Sequence, residues 1–118
     1  MPRFLMIAAG LMGATGVILA ALAAHKAQGL EPAALMLLVH APAIIAAGAA
    51  TQAGLLNRAL AHAAATGLAL GAILFSADIE LLTLAGVRLF PMAAPLGGFV
   101  MIAAWLTLSV AALRPPMP

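Results

Sequence analysis

Four long runs without a charged residue divide this chain. They are Phe4–Ala24, Pro32–Asn57, Ala59–Ala77 and Leu89–Leu113. Each is close to the roughly 20 residues that a helix needs to cross a bilayer core of about 30 Å. The runs are rich in Ala and Leu and do not alternate in polarity. A transmembrane barrel requires such alternation, so the pattern predicts helices, with backbone bonds closed inside each segment. The expected spans are about 4–24, 33–51, 59–79 and 95–113. The expected fold class is an all-α membrane protein, a compact bundle of four transmembrane helices with short connecting loops, in a single domain over 1–118.

Composition strengthens this picture. Of 118 residues, 66% are hydrophobic and 7% charged, too few polar side chains to cover a water-soluble domain. A cleaved signal peptide competes for the first run, with Arg3 before it and Ala21-Leu22-Ala23 as a cleavage-like site. The run exceeds the 7–15 apolar residues usual in such leaders, which favours a span. The net charge of +2 rests on scattered cations with no basic run, so nucleic acid is not an expected partner. Cysteine is absent, which removes disulfide and thiolate chemistry.

The connectors carry turn signals. His25-Lys26-Ala27-Gln28-Gly29-Leu30-Glu31-Pro32 is polar and ends on a proline suited to a first helical turn. Pro42 stands inside the second span, where it leaves the Leu38 carbonyl without its usual partner. Gly67 and Gly71 in the third span, with Gly97 and Gly98 in the fourth, are candidate helix-packing positions. Arg114-Pro115-Pro116-Met117-Pro118 is a tail that cannot be helical. Four spans put both termini on one side, with Arg3, Arg58 and Arg114. Lys26, Arg88 and all three acids lie on the other. Counted as Lys plus Arg, three against two puts the termini in the cytoplasm, and the expected location is a bacterial inner membrane.

Taken in order, several segments resemble a known family. They are Ala24-His25 with Gly29-Leu30, His40-Ala41, Leu74-Phe75-Ser76, Leu81-Leu82 running to Gly86, Pro95-Leu96-Gly97-Gly98 and Ala104-Trp105. Their order and spacing resemble the small membrane proteins typified by YgdD, the family called domain of unknown function 423. The resemblance implies a four-span integral membrane protein and supplies no activity. Three departures mark this chain. Ala77, Asp78, Ile79 and Glu80 stand where the family has small and aromatic residues. Ala94 replaces a hydroxyl before Pro95, and His62 matches no family position.

Candidate chemistry is sparse. His25, Lys26, Glu31, His40, Asp78, Glu80 and Arg88 fall toward one membrane face. Within this set, His25, His40, Asp78 and Glu80 form the candidate polar cluster, since ionisable groups in membranes usually face the protein interior and pair. His40 lies about 12 Å into its span and Trp105 about 15 Å into the fourth. A histidine near a carboxylate can relay protons or hold a divalent metal. Against that, Asp78 and Glu80 are about 200° apart around a helix, so they cannot serve one site unless the helix has ended. Pairing of the acids with Lys26 or Arg88 is the simpler reading. For His40 the expected role is a hydrogen bond to another helix, or to the carbonyl released by Pro42. His62 belongs to the opposite side, about 10 Å from His40 in depth, which argues against a haem bridging the two. Ser76 and Ser109 lack an evident base. No catalytic residue, metal or cofactor is therefore expected. The expected role is a non-catalytic accessory or scaffolding subunit packing against other membrane proteins or itself. The alternative is a small proton, ion or solute transporter or channel-like oligomer built on the His/acid cluster.

Overall fold

The computed structural model describes residues 1–114; the proline-rich tail expected beyond them lies outside that range. Four α-helices follow one another: α1 (Arg3–His25), α2 (Glu31–Gln52), α3 (Arg58–Ala85) and α4 (Ala93–Leu113), with a 3₁₀ turn at Gln28–Leu30 before α2. All four are long and apolar enough to cross a membrane. The architecture is that of a multi-pass, all-α membrane protein.

Local chemistry sets the helix ends. Pro32 lies in the first turn of α2, where no amide is required. The helix continues unbroken through Pro42. Asn57 caps α3: its Oδ1 accepts from the Leu60 amide at 3.1 Å. The amide of Asn57 donates to the Ala111 carbonyl at 2.9 Å, tying the start of α3 to the end of α4. At its far end α3 continues past the charge-free run. Leu81-Leu82 are good helix formers, and the helix stops only at Gly86, whose φ of +73° suits a residue without Cβ. At 28 residues, α3 is about 42 Å long and outlasts its partner α4 by two turns.

The helices pack in chain order, α1 on α2, α2 on α3, α3 on α4. One core joins them through Leu5, Met12 and Leu19 of α1, Leu37 and Ile44 of α2, Leu68 of α3 and Met101 of α4. A smaller cluster of Leu56, Ala61 and Ala111 closes the end that carries the termini.

The α3–α4 contact is the closest. A Cβ on Gly71 would sit 2.8 Å from the Gly97 carbonyl oxygen, and one on Gly97 would sit 2.7 Å from the Gly71 carbonyl oxygen. The two backbones therefore touch, as small residues permit in membranes. A Cβ on Gly67 would come within 2.9 Å of the Ala104 side chain. Gly98 differs from the other three: a Cβ there would meet nothing within 4 Å, so its backbone makes no close approach.

Candidate functional site

The polar groups expected to gather are distributed among separate contacts. Ser76 of α3 donates to the Ala33 carbonyl of α2 at 3.1 Å. Two turns further, Thr83 packs against the backbone of Gly29. Asp78 and Glu80 lie between these two contacts, level with the first turn of α2, and so near the boundary rather than at mid-membrane.

Asp78 is fully buried, with 0% exposure. Its carboxylate accepts three hydrogen bonds, two from the α3–α4 connector and one from the first turn of α4. Arg88 Nη1 donates at 2.8 Å, the Leu89 amide at 2.9 Å and the Ala94 amide at 3.1 Å. The last of these is an orphan amide at the start of α4. The residue before that helix, Met92, has φ +69° and supplies no side-chain cap. Asp78 thus caps α4 from another helix, where a carboxylate also suits the helix dipole. It pairs with Arg88 and satisfies the Leu89 amide of the connector and the buried Ala94 amide. Arg88–Asp78 is the one ion pair among the described residues.

Glu80 points elsewhere. The 200° offset between the two acids carries it away from α4 and onto a groove between α1 and α3. Ala8, Leu11, Met12 and Thr15 form one wall, Ile73, Ser76, Ala77 and Glu80 the other, and Leu37 stands behind them. The groove has a volume of about 300 Å³. Glu80 forms no ion pair among the described residues.

His40 is buried in α2, with 4% exposure. Trp105 Nε1 of α4 can only donate, and it reaches His40 Nε2 at 3.1 Å. Nδ1 therefore carries the ring proton and donates to the Met36 carbonyl at 2.7 Å. The two rings meet edge to face, 5.8 Å between centroids. The expected bond to another helix is present. The carbonyl is that of Met36, one turn back from His40, and not the Leu38 carbonyl freed by Pro42.

His25 is the exposed last residue of α1. His62, at the opposite end of the molecule, keeps a buried Nε2 without a partner among the described residues. Among those residues no group of three or more His, Asp or Glu is placed to hold a metal ion. Trp105, Leu89 and Ala94 were not legible as partners of His40 and Asp78. The matching depths of His40 and Trp105 were the one available signal.

A family model described as a protein of unknown function, DUF423, matches residues 6–98. The chain belongs to this family. The matched segment contains His40, Asp78, Glu80, Arg88 and the Gly71–Gly97 contact, and it stops short of Trp105. No curated protein and no solved structure matches the chain.

Proposed function

We propose that this DUF423 protein is a non-catalytic accessory or scaffolding subunit of a bacterial inner membrane, with its termini in the cytoplasm. The observation that supports this reading is the use of its buried polar groups. Asp78, His40 and Ser76 each bond to a neighbouring element of the fold, which makes a rigid module of them. The outer row of α4, with Phe99, Ile102 and Leu106 exposed, then presents a broad apolar face to other membrane proteins.

The test has two arms. Purified chain in liposomes loaded with a pH-sensitive dye should leave the rate of proton leak unchanged. Chain purified in mild detergent should carry a membrane protein at fixed stoichiometry, and F99A/L106A should release it. A pH gradient that collapses only in protein-containing vesicles would replace this reading with a transporter.

A further inference from the structure

The groove between α1 and α3 has a built pattern. Its walls are two helical rows with the same spacing: positions 8, 11, 12 and 15 on α1 and positions 73, 76, 77 and 80 on α3. Each row is an i, i+3, i+4, i+7 set, which lines one face of a helix over about 10 Å. Apart from Thr15, Ser76 and Glu80 the lining is apolar. The Ser76 hydroxyl is already engaged with the Ala33 carbonyl. Glu80 ends the α3 row at the boundary end of the groove, level with the first turn of α2.

Among the described residues this carboxylate has no cation within ion-pair distance. Arg88, ten residues from Asp78 and on the same membrane face, is bound to Asp78. Asp78 itself faces the α3–α4 connector and not the groove. A carboxylate beside an apolar groove is stabilised by an opposite charge that arrives with apolar groups attached. The groove opens to the side of the bundle, where the surrounding medium is lipid.

We propose that the α1–α3 groove binds an amine-headed phospholipid, its ammonium group on the Glu80 carboxylate and one acyl chain between the two helical rows. An ammonium brings three donors to an acceptor-only carboxylate. The geometry matches a headgroup at the boundary with a chain running toward the bilayer interior. This binding role is independent of whether the chain scaffolds other proteins.

The experiment is native mass spectrometry of the full chain, released from micelles containing equal amounts of phosphatidylethanolamine and phosphatidylglycerol with identical acyl chains. The expected result is one retained lipid, with the ethanolamine form favoured at least fivefold. Glu80→Gln keeps the side-chain shape and should reduce that preference to near unity. Ala77→Phe fills the groove from α3 and should remove retention of both lipids. Circular dichroism would verify that each variant keeps its helices. Equal retention of the two lipids by the native chain would overturn the proposal, as would an undiminished preference in Glu80→Gln. A lipid-free dimer that depends on Glu80 would also overturn it, because the groove would then belong to a second copy.

Discussion

The Asp78 carboxylate caps a helix that begins fifteen residues later, accepting the Ala94 amide at 3.1 Å. One buried side chain therefore joins the end of α3, the connector and the start of α4. Removing it leaves a guanidinium and two backbone amides without their acceptor.

Asp78→Ala frees Arg88 into water but leaves the buried Ala94 amide without its acceptor, and should destabilise the fold by about 1–3 kcal/mol. Arg88→Ala leaves the 0%-exposed Asp78 carboxylate with its two amide donors but without its cation, and should cost at least as much, up to about 3–5 kcal/mol. Unfolding in mixed micelles, followed by circular dichroism, measures both. A loss well under about 1 kcal/mol for Asp78→Ala would contradict the capping role.

The glycines should divide sharply. Gly71→Ala and Gly97→Ala drive a methyl into backbone atoms, and each should cost about 1–3 kcal/mol. Gly98→Ala places its methyl in open space inside a helix and should stabilise by roughly 0.5–1 kcal/mol. Thermal unfolding of the three variants side by side decides the matter.

Trp105 is the single tryptophan, so its fluorescence reports on one contact. His40→Ala removes the acceptor for its indole N–H and the ring packed against it. The emission maximum should shift, with a stability loss of about 0.6–1.7 kcal/mol for the hydrogen bond and more for lost packing. Trp105→Phe should cost a similar amount through the orphaned His40 Nε2.

Ser76→Ala should be mild, under about 1 kcal/mol. The Ala33 carbonyl that it releases lies in α2 and keeps its place in the helical ladder. A larger loss, measured by the same unfolding assay, would mean that this bond carries the α2–α3 contact.

The helices were legible because eight charges leave room for four spans and little else. The divergence of Asp78 and Glu80 was legible too, from helical geometry alone. Their destinations were not. The donors of Asp78 are mostly backbone amides, and which amides a connector presents depends on its turns, here on the left-handed Met92. The His40–Trp105 pair was half visible, since both residues lie at similar depth from one face. Joining them required knowing that α2 and α4 come within reach of each other. The length of α3 was hidden because Asp78 and Glu80 look like the end of a span, while burial of Asp78 lets the helix continue.

The partners of Asp78 all lie downstream of it, from Arg88 to Ala94. During synthesis the acid emerges first and its counter-charge follows ten residues later. A nascent chain halted between them presents a bare carboxylate at the top of α3. The acid is therefore paired only once the connector has been made, and a version of this protein cut at Gly86 keeps Asp78 but none of its three donors.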